Sequence, residues 1–117
     1  MDRSRTFWLR EAERYIADCR ARATSVRACE LAVQTRRTPV QLAREFQAAV
    51  GCGVKHYFRV RQLERAEELL KSTARGTADI AIDAGFGTAR SFYRAFRRST
   101  GMSPTEYRKR MSLATSS

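Results

Sequence analysis

A chain of 117 residues is one domain's worth of polypeptide, and its 43% hydrophobic and 30% charged residues make a globular balance that excludes a wholly disordered chain. No apolar run approaches the ~20 residues of a membrane-crossing helix, and charges every few residues after Met1 do not fit a signal-peptide core, so a cytoplasmic protein with no membrane partner is expected. Twenty-three basic residues, 20 of them arginine, stand against 12 acidic ones, and a net charge of +11 on so small a domain points to a polyanion, nucleic acid before an anionic membrane surface.

Trp8, Ala12, Tyr15, Ile16 and Cys19 recur at helical spacing and predict a one-faced helix of about 15 residues after Thr6. A short helix then starts near Ser25 to Arg27, carries Ala28, Leu31 and Ala32 through Gln34, and stops at Thr35-Arg36-Arg37. Thr38-Pro39 opens a third, with a capping hydroxyl followed by proline at the first helical position. Leu42, Phe46 and Val50 face inward from it, and Gly51 and Gly53 end it. From Val54 to about Ser72 a longer helix places Tyr57, Val60, Leu63, Ala66 and Leu70 on one stripe.

The second half repeats this order. A short helix from Ala78 to Ala84, a Gly85-Phe86-Gly87 turn, a Thr88-capped helix with Phe92 and Phe96 inward, Gly101, and a last helix opened by Ser103-Pro104 follow in turn. Shifted by 50 positions, Thr38, Arg44, Phe46, Gly51 and Tyr57 fall on Thr88, Arg94, Phe96, Gly101 and Tyr107, the signature of an internal duplication. No segment reads as a strand.

Enzyme chemistry finds little footing. Cys19, Cys29 and Cys52 form no C-x-x-C pair, His56 is the single histidine, and there is no glycine-rich phosphate loop. No catalytic residue, metal site or cofactor is expected, nor a pocket-sized apolar cavity. Cys19 and Cys29 are expected in the core, Cys52 in a loop, and His56 at the surface or half buried.

A short helix, a tight turn and a second helix form the helix-turn-helix unit, whose second helix enters the major groove of DNA. With Leu42, Phe46 and Val50 inward, Val40, Ala43, Arg44 and Gln47 face outward and, with Gln41, are the candidate contacts of the first unit. In the second unit Phe92 and Phe96 inward leave Arg90, Tyr93, Arg94 and Arg97 outward; Arg90 and Arg94 are expected to reach base edges, and Arg97 and Arg98, nearer the helix end, to hold phosphates.

These residues resemble the AraC/XylS (arabinose-regulator type) family of bacterial transcription factors. Ile80-Ala81, Gly85-Phe86, Phe92, Arg94, Phe96, Gly101, Ser103-Pro104 and Tyr107-Arg108 are similar to that family's I-A, G-F, F-x-R-x-F, G-x-S-P and Y-R pattern. Tyr57, Leu63, Ala66 and Leu69-Leu70 resemble its linker helix, and the likeness runs from about Phe7 to Arg110. The resemblance implies an all-α fold of about seven helices: two homeodomain-like helix-turn-helix lobes, 6–53 and 73–111, joined by a linker helix over 54–72, with a tail over 112–117. A linker of about 19 residues spans ~28 Å, near the ~34 Å between successive major grooves on one face of DNA. The resemblance also implies a DNA-binding region without the usual effector-binding domain, as in the short stand-alone members, and hence no small-molecule effector site in this chain.

Several positions depart from the family's habit. Arg36 stands where the first turn usually has glycine, a place that requires positive φ at ~1 kcal/mol for any other residue. Gln47-Ala48-Ala49 replace basic residues, Gln62 an arginine or lysine, Ala89-Arg90 a polar residue and serine, and Thr77 an aliphatic. The function expected is sequence-specific binding of double-stranded DNA in transcriptional control, with activation through RNA polymerase implied by the resemblance. The alternative is a non-specific nucleic-acid or nucleoid-type binder, which the charge alone equally permits. Val40 and Ala43, suited to thymine methyls rather than phosphates, argue for specificity.

Overall fold

The computed structural model describes the backbone of residues 3–115 and the side chains of residues 3–112. Seven helices and no strand are found among the described residues: α1 (Arg3–Arg22), α2 (Ala28–Gln34), α3 (Pro39–Val50), α4 (Val54–Ser72), α5 (Thr77–Asp83), α6 (Ala89–Thr100) and α7 (Pro104–Thr115). The chain divides into two compact units between Val60 and Arg61, inside α4. The last helix continues through Thr115, into the expected tail, whose final two residues lie outside those described.

In the first unit α1 buries Trp8, Ala12, Tyr15, Ile16 and Cys19, the stripe expected. It begins a turn earlier than Thr6, and the Arg5 guanidinium in that added turn donates to the Val50 carbonyl at the end of α3 (2.9 Å). Tyr15 organises the start of α2, accepting from the Arg27 backbone N–H (2.7 Å) while its hydroxyl donates to the Glu30 carboxylate. Burial, reinforced by that bond to Glu30, pushes the Tyr15 hydroxyl well above the ordinary tyrosine range, so it stays protonated and keeps donating. Between α2 and α3, Arg36 adopts the left-handed conformation at φ 58°, the value its place in the turn demands. Thr38 then caps α3 through a full capping box with Gln41, and Gly51 at φ 94° ends the helix. Leu31, Leu42, Phe46 and Phe58 close the core around Trp8.

The second unit has its own core. Phe86, Phe92, Phe96 and Tyr107 form a chain of ring contacts with centroids 5.2, 5.6 and 5.1 Å apart, packed with Ala66, Leu69, Leu70 and Ile80. The Arg108 guanidinium donates to the carbonyls of Leu70 (3.2 Å) and Thr73 (3.1 Å), satisfying acceptors left open at the C-terminal end of α4. The short helix α5 lies one residue earlier than expected, because Gly76 rather than Thr77 takes the capping conformation.

Two expectations are corrected. The stripe on α4 fails at Val60, which is 39% exposed, while Phe58 is buried instead. The helix gives Val54 and Phe58 to the first core and Ala66, Leu69 and Leu70 to the second, so no single stripe runs its length. Cys29 is exposed rather than in the core, since α2 is too short to bury more than Leu31 and Ala32. Cys19 is buried, Cys52 partly so, and His56 exposed.

Candidate nucleic-acid interface

The second helix of each helix pair is fixed by the same three devices. In α3 the Thr38 hydroxyl accepts from the Gln41 backbone N–H (3.1 Å), Leu42 and Phe46 are driven inward, and a left-handed glycine ends the helix. In α6 the Thr88 hydroxyl accepts from the Ser91 N–H (3.0 Å), Phe92 and Phe96 are inward, and Gly101 at φ 78° ends the helix. What the apolar residues bury decides what remains in water. On α3 the positions i, i+3, i+4, i+7 and i+8 from Val40 carry Val40, Ala43, Arg44, Gln47 and Ala48, all exposed. On α6 the same positions, 50 residues later, carry Arg90, Tyr93, Arg94, Arg97 and Arg98, also all exposed.

Each helix thus presents a five-position outward face, and the two faces share only the arginine at Arg44 and Arg94. Val40 is 66% and Tyr93 45% exposed, high values for side chains of their size. Gln41 is exposed but sits at the margin of its face, and its amide oxygen accepts from the Thr38 N–H (3.0 Å), so it helps build the helix start. Ala48 was absent from the residues expected from sequence, although the 50-residue shift places it opposite Arg98. Lys55, at the start of α4, borders the same side of the first unit and also escaped sequence reasoning.

Charge separates the faces further. The α6 sequence carries Arg90, Arg94, Arg97 and Arg98 and no acid. In α3 Arg44 is balanced by Glu45, whose carboxylate pairs with Arg37 at 3.2 Å. Arg37 is itself held by the Thr35 carbonyl (2.7 Å) and lies 5.4 Å from the Trp8 ring centroid, which makes it part of the scaffold.

The first unit also holds two open concavities where none of that size was expected. One of about 850 Å3 runs beside α3 and is mostly apolar, and one of about 500 Å3 lies between α1 and α2 near Tyr15 and Val33. The small side chains of Ala43 and Ala48 with Gly53 leave the first space unfilled, and that run of small outward residues was its sequence signal. Among the described residues no group of three His, Cys, Asp or Glu is placed to hold a metal ion. No helix among them is long and apolar enough to cross a membrane.

Comparison with known proteins places this arrangement. The sequence model of a family described as Helix-turn-helix domain matches residues 31–110. The chain is 36% identical over 64 residues to the melibiose operon regulatory protein of Escherichia coli, a match covering 55% of this chain and 21% of that protein. It is 36% identical over 69 residues to the HTH-type transcriptional activator RhaR of Klebsiella pneumoniae, covering 59% of this chain and 25% of that one. The match therefore spans about a quarter or less of the length of these curated relatives. Among solved structures, the C-terminal domain of AraT, a response regulator from Geobacillus stearothermophilus, superposes with a TM-score of 0.73 at 28% identity, covering 85% of this chain and 84% of that one. The DNA-binding domain of AdpA, solved in complex with a target DNA, shares the fold at a TM-score of 0.77 and 19% identity, covering 88% and 94%. With a family match over most of its length and two helix-turn-helix units in the same order, the chain belongs to the AraC/XylS-type helix-turn-helix family.

Proposed function

We propose that this chain is a sequence-specific double-stranded DNA-binding transcription regulator that inserts α3 and α6 into major grooves. The observation that carries the reading is the duplicated five-position outward face, held at the same register on both helices while its chemistry differs between them. A general polyanion binder needs charge but no register, whereas base readout needs side chains fixed against a rigid core. Arg90, Tyr93 and Arg94, toward the start of α6, reach base edges, and Arg97 and Arg98, in its last turn, neutralise phosphates. Val40, Ala43, Arg44 and Gln47 read bases from α3, and Gln41 supports its N-terminus.

In this reading the lobes 6–53 and 73–111 each supply one reader, and the helix 54–72 links them. The regulator acts in the bacterial cytoplasm on chromosomal DNA, carries no catalytic or small-molecule effector site in this chain, and activates transcription by touching RNA polymerase. Activation is what the name of the Klebsiella relative states for that protein. The arginine-rich face of α6 favours one alternative, a non-specific nucleic-acid or nucleoid-type binder. Selection of bound duplexes from a random pool separates the two: a regulator enriches one asymmetric motif, and a general binder enriches none.

A further inference from the structure

The concavity beside α3 has a composition that phosphate binding does not explain. Val40, Ala43 and Ala48 present methyl groups to it, Arg44 and Gln47 stand among them, and Lys55 borders it. Lone exposed aliphatics are ordinary on protein surfaces. Here the register sets them apart, since the matching positions on α6 carry Arg90, Tyr93 and Arg98. The second helix pair thus places two guanidinium groups and a phenol where the first places methyl groups, on faces built by the same cap, the same inward phenylalanine and the same terminal glycine.

The apolar group that a base pair offers in the major groove is the C5-methyl of thymine, which packs against alanine or other aliphatic carbon. An open, mostly apolar concavity of about 850 Å3 beside Arg44 and Lys55 fits such methyls on a polyanionic duplex. Resting on the DNA-binding reading above, we infer that the first lobe recognises thymine C5-methyl groups through the surface formed by Val40, Ala43 and Ala48. Its half-site is then specified by thymines, whereas the second lobe's half-site is read by guanidinium groups.

The test uses the full chain and a duplex recovered by selection. The half-site of the first lobe is the one where Arg44→Ala flattens base preference. Replacing its thymines with deoxyuridine removes only the methyl and leaves the O4 acceptor and the pairing intact. Affinity should fall about fourfold for each methyl contacted, the effect of returning one buried methyl-sized group to water. The same replacement in the other half-site should change affinity by less than about twofold, and Val40→Ala should weaken the thymine duplex without weakening the deoxyuridine duplex further, because both changes delete one contact. Val40 is exposed, and circular dichroism will verify that the variant is folded. Equal affinity for the two duplexes, equal losses in both half-sites, or additive losses with Val40→Ala would overturn the inference and leave DNA binding standing. A selection that enriches no sequence would overturn the inference and the proposed function together.

Discussion

Phe46 meets Tyr57 edge to face, with ring centroids 5.5 Å apart and planes at 67°, and fifty residues later Phe96 meets Tyr107 in the same way at 5.1 Å and 80°. In each unit this pair ties the second helix of the helix-turn-helix to the helix that follows. Both phenylalanines are fully buried, so truncating either leaves a cavity that its neighbours fill only in part. Phe46→Ala and Phe96→Ala should each cost ~3–5 kcal/mol. Hydrogen exchange should show protection lost in α1 to α3 for the first variant and in α5 to α7 for the second. A variant that melts like the parent would contradict the inward face assigned to its helix.

Gln62 is buried, and its amide donates to the Gly85 carbonyl at 2.7 Å, fastening α4 to the turn between α5 and α6. Gln62→Ala leaves that carbonyl buried without this donor, a loss of ~1–3 kcal/mol. Urea denaturation followed by a probe in the second unit measures it, and an unchanged midpoint would show that the bond contributes nothing net.

Asp83 accepts from Arg65 (2.9 Å) and Arg75 (3.0 Å), which joins α4, α5 and the loop between them. Partial burial alone would raise its carboxyl, but the two guanidinium hydrogen bonds and their charge outweigh it and hold the group below the usual carboxylate range. A carboxyl depressed on folding stabilises the protein above its unfolded value of ~3.9 and loses that contribution as pH falls through the folded value. Stability should therefore drop below about pH 4, and Asp83→Asn should show a shallower acid limb in thermal melts. Parallel acid limbs for parent and variant would contradict this.

Arg36 holds φ 58° in the turn between α2 and α3, where the second unit has Gly85 at φ 87°. Arg36→Gly relieves the left-handed strain but adds freedom to the unfolded chain, so a net gain of ~0.5–1 kcal/mol is expected. Destabilisation would show that the Arg36 side chain contributes more than its backbone costs.

Local signals in the sequence proved sufficient wherever a few neighbouring residues decide the outcome. Thr38-Pro39 marks the start of α3 because a capping box is made within four residues, and Phe92 and Phe96 mark the inward face of α6 because one turn of helix separates them. The sequence misled where tertiary context decides. Val60 continues an apolar rhythm yet lies exposed, because α4 serves two cores in succession. The apolar stripe of α1 marks its helix only from Thr6 onward, whereas the helix begins at Arg3 and its added turn holds Arg5, which bonds to Val50, 45 residues away. The concavity beside α3 was legible only in part: Ala43 and Ala48 lie on the outward face that helical spacing gives, but Gly53 between α3 and α4 and Val54 and Lys55 at the start of α4 complete its lining, which periodicity within one helix does not register.

In the proposed function the two readers are chemically unlike: α3 discriminates bases with little charge, and α6 both reads and grips. Affinity measured against salt concentration for the parent, Arg94→Ala and Arg98→Ala on selected and scrambled duplexes separates these roles. Each phosphate neutralised contributes about −0.9 to the slope of log affinity against log salt. Arg98→Ala should weaken both duplexes alike and make the slope shallower by about 0.9. Arg94→Ala should cost ~1–3 kcal/mol on the selected duplex and far less on the scrambled one, with preference lost at one base position. Identical behaviour of the two variants on both duplexes would contradict the division of α6 into residues that read and residues that grip.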